Sequence, residues 1–384
     1  MNRRQFIATA ITTGIAIATR AAPRGVAVDN DKRTLRVAVI GHTGHGNYGH
    51  GLDTMWLNLP ETEIVAVADA DAKGLAAAQK KLKLAKGFAD YRAMLAEIKP
   101  DIVAIAPRHV GEHRDMALAA IEAGARGVYM EKPFCRTPAE ADEIVAACER
   151  RNVKLALAHR NRYHPSLAAA AKDAAIGELR ELRGRGKQDD RGGVQDLWVL
   201  GAHVFNLAHA VAGKPLACTA KLLQDGRLVT RADVKEGAEG IGPVAGTELH
   251  AQFEMESGVP LFFDSVRGAG KKAEGFGLRL IGTKGAIDLR VDEDPFARRL
   301  PSQEPVGPAG AEILKKVSSH ELAVRDLLAA MCEDRAPLCD ANAGRVTVEM
   351  ICAVLESHRR GGQRVTFPLP CRQNPLTQEF PPVS

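Results

Sequence analysis

The stretch TLRVAVIGHTGHGNYG, residues 34–49, decides the fold of this chain. Its β-branched run at residues 35–40 is typical of a buried parallel strand. The glycine-rich segment from Gly41 to Gly49 predicts a strand-to-helix turn whose backbone N–H groups approach a pyrophosphate. Because Thr43 stands where a second glycine is expected, the loop alone also fits a tight turn in another α/β fold.

Alternating strands and helices continue from this stretch to about residue 160. Short apolar runs predict further strands, and Asp71 and Thr137 are placed to cap helices. This alternation predicts a doubly wound parallel sheet of Rossmann type over residues 33–160. The further strands are predicted at residues 63–68, 101–106, 127–130 and 153–158.

A different rhythm follows over residues 161–384. Two pairs of β runs flank tight turns, at 257–258 and at 282–285, and predict antiparallel hairpins. The fold class is therefore α/β, with an N-terminal Rossmann domain and a C-terminal α+β domain that carries a large, mainly antiparallel open sheet. Helices of the second domain are predicted near residues 198–212, 320–333 and 344–359.

An acidic residue at the end of the second strand indicates the cofactor. Asp69 lies 23 residues beyond Gly46, where a carboxylate hydrogen-bonds the ribose hydroxyls of NAD and repels the extra phosphate of NADP. We therefore expect NAD rather than NADP; a solvated strand-end aspartate is the alternative. The loop residues expected to contact the cofactor are Gly41, Thr43, Gly44, His45 and Gly46.

Three histidines, His42, His45 and His50, crowd this loop. A metal site needs convergent ligands, and no thiol or spaced carboxylate in the sequence supports one. We therefore expect no metal ion, and we assign these side chains to packing near the nicotinamide or the phosphates.

The composition is that of a folded protein of roughly two domains. The chain has 384 residues, 45% of them hydrophobic, and a net charge of +5, to which Arg3, Arg4 and Arg20 contribute three. No basic run with interleaved aromatic residues occurs, so nucleic acid is not an expected partner. Beyond the N-terminus no apolar run is long enough to span a membrane, so we expect no stable membrane anchor.

Residues 1–22 resemble a twin-arginine export signal. Arg3 and Arg4 precede a moderately apolar segment that ends in small residues; an ordinary N-terminal helix or anchor is the alternative. Export in folded form by the twin-arginine machinery, to the periplasm or beyond, would let a held cofactor travel with the protein. It also suits seven cysteines without a CxxC pair, which predict neither a disulfide framework nor a zinc site.

The tripeptide Glu131-Lys132-Pro133 follows the strand predicted at residues 127–130. Open α/β sheets bind their ligands at this edge. A partly desolvated lysine beside a positive nicotinamide has a lowered pKa and can act as a general base. From these residues alone, the alternative is a surface lysine paired with Glu131.

With this motif the chain resembles the glucose-fructose oxidoreductase, inositol dehydrogenase and MocA family, written Gfo/Idh/MocA. The resemblance implies a Rossmann domain followed by an open-sheet domain, and NAD(P)-dependent chemistry on sugars, polyols and related compounds. It also implies a homodimer or homotetramer. The matching segments are Val37–Gly46, Val67–Asp69, Ala117–Gly124, Val128–Pro133, Ile281–Ile287 and Ala323–Leu369.

The resemblance further implies roles for individual residues. Lys132 matches the family's catalytic lysine and His203 its active-site histidine. Because Val199 replaces an aspartate that the family often carries, we expect Asp196, two helical turns before His203, to supply the carboxylate. On the cofactor side the matching residues are Pro107, His113, Glu131 and Lys132. Substrate contacts are expected from Arg160, Arg162, Tyr163 and Asn206.

The sequence thus predicts an exported NAD-dependent oxidoreductase acting on CH–OH groups of a sugar, polyol or sugar derivative. One alternative is an NAD-dependent glycoside hydrolase whose cycle is redox-neutral. The other is a non-catalytic protein that binds sugar or nucleotide on the same fold.

Overall fold

The computed structural model describes residues 33–271, 275–307 and 319–380, and residues 34–384 form one compact unit. The export segment predicted at residues 1–22 lies outside the described residues. Among the helices that are described, none combines the length and the apolar character needed to cross a membrane.

Between residues 33 and 160, all of them described, six strands form a sheet in the order β3-β2-β1-β4-β5-β6. Every neighbouring pair is parallel, which confirms the predicted doubly wound arrangement with β1 at its centre. The sequence pattern missed β3, because two residues carry no periodic signal. The strands are β1 Leu35–Ile40, β2 Thr62–Ala68, β3 Gly87–Phe88, β4 Ile102–Ile105, β5 Gly127–Met130 and β6 Lys154–Leu157.

Helices connect these strands, and their caps follow the sequence. The Asp71 carboxylate accepts a hydrogen bond from Gly74 N at 2.6 Å, and Thr137 Oγ1 accepts one from Glu140 N at 3.2 Å. Thr137 and Glu140 form half of a capping box, since the Glu140 carboxylate accepts a hydrogen bond from Arg136 N instead of from the N–H of Thr137. The helices are α1 Ala72–Leu82, α2 Tyr91–Ile98, α3 His113–Glu122 and α4 Pro138–Arg151.

In the described part of the second half, nine strands form a sheet in the order β16-β15-β14-β7-β13-β12-β8-β17, with β9 paired to β8. Only β7 and β13 run parallel among these pairs, so the sheet is mainly antiparallel as predicted. A separate two-stranded ribbon joins β10 to β11. The strands are β7 Leu179–Arg185, β8 Pro215–Gln224, β9 Arg227–Leu228, β10 Lys235–Glu236, β11 Pro243–Val244, β12 Glu248–Met255, β13 Leu261–Val266, β14 Gly277–Gly282, β15 Ala286–Arg290, β16 Ala297–Leu300 and β17 Val365–Thr366.

One face of this sheet is covered by helices. Buried and exposed residues alternate along β12, which is the pattern of a strand with one packed and one open face. A π-helical segment, Leu197–Gly201, lies between the helices α6 and α7. The helices are α5 Pro165–Ala171, α6 Gly193–Asp196, α7 Ala202–Ala212, α8 Ser319–Glu333 and α9 Ala341–Arg359.

The second half of the chain packs against the parallel sheet. The chain leaves β6 through the turn Arg160–Tyr163, close to the boundary predicted at residue 160. Helix α8 returns from the second half and packs against β5 and β6, and the Tyr129 hydroxyl hydrogen-bonds His320 Nδ1 at 2.8 Å. Residues of the second half, among them His203 and His320, therefore line a cleft with Lys132 and Ala158, which follow β5 and β6. The division into two domains stays a prediction, because residues 34–384 form one compact unit.

Candidate active site

The glycine loop lies directly after β1 and is closely packed. A Cβ on Gly41 would collide with the Tyr48 ring. Gly46 has φ +93°, and a Cβ there would collide with the backbone of Arg108 and His109, which follow β4. Both positions therefore require glycine. Position 44 differs: a Cβ on Gly44 would meet no atom within 4 Å, so that side of the loop is open to a ligand.

Asp69 joins this loop to the end of β2. Its carboxylate is 1% exposed and accepts hydrogen bonds from Thr43 N at 3.0 Å, Thr43 Oγ1 at 2.7 Å and Asp71 N at 3.0 Å. The structure thus brings together the loop and the acidic residue that the sequence predicted as a cofactor site. In addition, it gives Thr43 a role that the sequence had not indicated, as the partner of the Asp69 carboxylate.

Two of the loop histidines converge on Glu112. His42 Nδ1 lies 2.9 Å from Glu112 Oε1, and His45 Nδ1 lies 3.3 Å from Glu112 Oε2. The His45 ring also stacks on His109, with 3.5 Å between centroids. Two imidazoles and a carboxylate within 4.8 Å of one another can also hold a divalent cation, so the expectation of no metal stays a prediction.

His113 braces the two segments that end at the cleft. It is fully buried, and each of its ring nitrogens lies 2.8 Å from a carbonyl oxygen, that of Pro107 or that of Pro133. These carbonyls follow β4 and β5, so His113 fixes the position of the Glu131-Lys132-Pro133 segment. Because its side chain is fully buried, His113 influences the site by holding these two backbone segments in place.

Within this segment, the Glu131 side chain is fully buried. Its Oε2 accepts from Lys132 N at 2.8 Å and its Oε1 from His50 Nδ1. Burial alone raises the pKa of Glu131, but the His50 hydrogen bond and the charges of His50 and Lys132 lower it overall. Sequence reasoning placed His50 in loop packing and did not pair it with this carboxylate.

Lys132 is enclosed at the end of the parallel sheet. It is 6% exposed, and its Nζ donates to the Val199 carbonyl at 3.1 Å. Burial lowers its pKa, against the opposing charges of Glu131 and Glu239. Lys132 is therefore not a surface lysine, which was the alternative interpretation of the sequence.

His203 lies beside a second histidine that the sequence did not indicate. Its Nδ1 is 3.3 Å from His159 Nδ1, and the rings meet edge to face. Burial, followed by the charge of Lys132, lowers the pKa of His159 to about 3 and holds that of His203 well below the ordinary range. Both imidazoles are therefore neutral at physiological pH, and one can donate to the other.

Lys132 and His203 line a cleft that is open to solvent and has a cavity volume of about 270 Å³. Three histidines, His50, His203 and His320, line this cleft. His320 has a pKa lowered to about 4, chiefly by burial. The remaining lining residues are Arg108, Lys132, Ala158, Arg160, Lys187, Arg191, Val199, Leu200, Glu239, Phe276, Val291 and Asp292.

Of the predicted substrate residues, the structure brings only Arg160 to this cleft. Arg162 donates to the carbonyl of Asn206 at 2.8 Å and to that of Leu338. The Tyr163 hydroxyl donates to the Cys339 carbonyl at 3.4 Å. Asn206 is buried and donates to Thr347 Oγ1. These three side chains hold the second half together instead of lining the cleft.

Asp196 also points away from the cleft. It is fully buried and accepts from Ser265 Oγ at 2.6 Å, Gln188 N at 3.1 Å and Lys187 N at 3.2 Å. The sequence placed it on the His203 face by counting regular helical turns. The π-helical segment between the two residues has wider turns, which rotate Asp196 off that face. The structure therefore does not bring Asp196 together with Lys132 and His203.

Residues 35–159 match the Gfo/Idh/MocA family model, described as an oxidoreductase family with an NAD-binding Rossmann fold. The match covers the part of the chain that forms the parallel sheet.

Curated relatives of the Gfo/Idh/MocA region are dehydrogenases. D-apiose dehydrogenase from Paraburkholderia graminis is 37% identical over 125 residues, which are 32% of this chain and 33% of that enzyme. D-glucoside 3-dehydrogenase from Escherichia coli is 30% identical over 149 residues, 38% of this chain and 41% of that enzyme. The chain thus matches less than half the length of these relatives.

Solved structures share the architecture of both halves. Levoglucosan dehydrogenase, solved with NADH and levoglucosan, aligns over 88% of this chain and 100% of its own, with a TM-score of 0.66 and 20% identity. An oxidoreductase from Agrobacterium radiobacter, solved with NAD+, L-tartaric acid and magnesium, covers 87% of this chain and 98% of its own, with a TM-score of 0.66 and 18% identity. At these identities the likeness is one of fold.

The residues of this Gfo/Idh/MocA region fit NAD. Gly44 leaves an open approach to the loop after β1, and Asp69 places a carboxylate at the end of β2 beside that loop. These are the positions at which a Rossmann fold receives the pyrophosphate and the adenosine ribose. The carboxylate disfavours the extra phosphate of NADP.

Proposed function

We propose that this protein is an NAD-dependent oxidoreductase that transfers hydride between the nicotinamide and a carbinol carbon of a sugar, polyol or sugar derivative. The observation that carries the proposal is Lys132, a buried lysine of lowered pKa that lines the same cleft as the neutral His203, at the carboxyl edge of the Rossmann sheet. The dehydrogenase names of the relatives support the same class of reaction.

The chain's own residues provide the proton chemistry. Neutral Lys132 Nζ would take the proton of the substrate hydroxyl as the carbinol becomes a carbonyl. His203 would hydrogen-bond the same oxygen, and His159 holds the ring of His203 in place. When bound, NAD+ supplies the acceptor for the hydride.

Replacement of Lys132 by methionine tests this role. Lys132→Met is expected to abolish NADH formation with a panel of sugars, polyols and glycosides, and to leave the affinity for NAD unchanged. Lys86→Met, at an exposed lysine paired with Glu97, is the control and is expected to retain activity. Turnover by Lys132→Met would refute the assignment.

A redox-neutral glycoside hydrolase is the second candidate. It is favoured by the orientation of Asp196, which bonds Ser265 and backbone N–H groups away from the lysine and histidine. Such an enzyme would cleave glycosides without accumulating NADH, whereas the dehydrogenase accumulates NADH. A protein that binds sugar or nucleotide but changes neither would instead fit the non-catalytic alternative.

We also propose export through the twin-arginine pathway to the periplasm, directed by Arg3 and Arg4. All seven cysteines lie within the described residues and are free, which suits folding before export. Replacement of both arginines by lysine is expected to leave the precursor in the cytoplasm, and cell fractionation measures it. Unchanged export would contradict the proposal.

A further inference from the structure

Cationic side chains outnumber carboxylates in the cleft. Five lysine or arginine residues line it, against the two acidic residues Glu239 and Asp292. A cleft concentrates the electrostatic field of the charges that line it. The surplus of cations therefore favours a negatively charged ligand. The cations are Arg108, Lys132, Arg160, Lys187 and Arg191.

On one wall of the cleft, two cations share one carboxylate. Lys187 Nζ lies 3.0 Å from Asp292 Oδ2, and Arg160 Nη2 lies 3.5 Å from Asp292 Oδ1. Arg160 Nη2 also donates to the Val291 carbonyl at 3.1 Å, which fixes the guanidinium beside the cleft. Because a single carboxylate cannot neutralise two cations, this wall keeps a positive charge.

The two other arginines of the cleft differ from this pair in their surroundings. Arg191 forms a two-pronged ion pair with Asp189 and also feels the charge of Glu239. Arg108 donates its backbone N–H to Gly46 at 3.1 Å, which places it on the side of the glycine loop. Arg160 and Lys187 are therefore the two cations of the cleft that share a single carboxylate.

This charge reaches the reacting groups. Burial, followed by the charge of Lys132 and then of other neighbours that include Arg160, lowers the pKa of His203. Arg160 acts on His320 in the same direction. Arg160, Lys132 and His203 line the same cleft, so an anion bound beside Arg160 would share that cleft with the proposed site of hydride transfer.

The phosphates of the cofactor do not account for this wall. The glycine loop from Gly41 to Gly46 and Asp69 do not line the cleft, so the dinucleotide backbone has a separate place. Arg160 lies in the turn that leaves the parallel sheet, and Lys187 follows β7. Both residues face the substrate side.

We propose that the substrate is a sugar acid, whose carboxylate is bound by Arg160 and Lys187. This inference rests on the proposed function. The guanidinium offers a planar fork of donors that matches a carboxylate, and the ammonium adds a point charge beside it. A monoanion also matches the single charge left over after Asp292. A sugar phosphate shares this anionic chemistry, and the experiment separates the two.

Calorimetric titration of the NAD-loaded protein measures the preference. The ligands are hexuronic acid methyl glycosides, the uncharged methyl glycosides of the same hexoses, and the matching hexose 6-phosphates. We expect a uronate to bind at least about tenfold more tightly than its uncharged counterpart. One charge-assisted hydrogen bond stabilises a complex enough to account for a factor of this size. Lys187→Met is expected to shrink that ratio. Arg364→Met, at an exposed arginine paired with Glu254, is expected to leave the ratio unchanged.

The outcomes distinguish this inference from the function on which it rests. If no uronate binds more tightly than its uncharged counterpart, or if Lys187→Met keeps the full ratio, the sugar-acid assignment is overturned. If a hexose 6-phosphate binds more tightly than every uronate, the proposal that the bound anionic group is a carboxylate is overturned. NADH formation from an uncharged sugar alone would overturn the inference and uphold the proposed function. Tight uronate binding without any redox or cleavage chemistry would uphold the charge preference and count against the enzyme.

Discussion

Lys132 is the residue whose charge state sets the expected pH dependence. Below its lowered pKa the side chain is an ammonium and cannot accept the substrate proton; above it the amine is free. We therefore predict that kcat/KM for oxidation rises with pH through a pKa below the ordinary lysine value. Measured from about pH 6 to pH 10, the profile for reduction should fall over the same range.

Glu239→Gln provides the control for this profile. The charge of Glu239 raises the Lys132 pKa, so its removal is expected to move the rise to lower pH. A shift in the opposite direction, or a flat wild-type profile, would contradict Lys132 as the titrating base. His159 and His203 are held neutral and should add no step near the ordinary imidazole pKa.

Asp69 is the residue that should decide between the two nucleotides. We predict that Asp69→Ala weakens NAD binding by at least about tenfold and affects NADP far less, because the ribose loses a charged hydrogen-bond partner. Fluorescence titration with each nucleotide measures the difference.

Asp71→Ala is the matched control for that comparison. It removes the cap of α1, and is expected to cost about 1 kcal/mol of stability without changing the nucleotide preference. An equal loss of both nucleotides in Asp69→Ala would mean that the carboxylate only holds Thr43 and the loop in place.

Among the elements, those with strong local signals could be predicted from the sequence. Strand β1 and the hairpins β12–β13 and β14–β15 occur as expected, since periodicity and turn residues are local properties. The parallel pairing of β7 with β13 had no such signal, because it joins distant segments. The π-helical segment had none either, and it decides where Asp196 points.

Asp196 is therefore expected to stabilise an element rather than to take part in the reaction. Its carboxylate ties the segment after β7 to Ser265 of β13. We predict that Asp196→Ala lowers the free energy of unfolding by roughly 1–3 kcal/mol, because buried donors lose their acceptor. Chemical denaturation measures the loss. Ser265→Ala should reproduce part of it and leave kcat unchanged, whereas a large fall in kcat for Asp196→Ala at unchanged stability would restore its predicted catalytic role.

At the scale of the whole molecule, the site depends on contacts between segments far apart in the chain. Lys132 and His203 could be found from the sequence because a family motif surrounds each of them. His159, His320 and the Lys187–Asp292 pair could not be found in this way. Each of them is identified only by its contact with a residue on another element of the fold. Isolated histidines, lysines and aspartates carry no local pattern that distinguishes a cleft from a solvated surface.

The open face of the second sheet bears on assembly, which the family resemblance predicts to be a homodimer or homotetramer. Gln252 of β12 lies exposed on this face, between Thr219 and Phe262 on the neighbouring strands. In a two-fold interface each copy presents the same patch, so an added charge is brought close to its own copy. We predict a homo-oligomer in solution that Gln252→Arg dissociates, measured by size exclusion with light scattering. Glu122→Arg, at an exposed position of α3, should leave the mass unchanged. A monomeric wild-type protein, or an oligomer unaffected by Gln252→Arg, would show that this face does not mediate assembly.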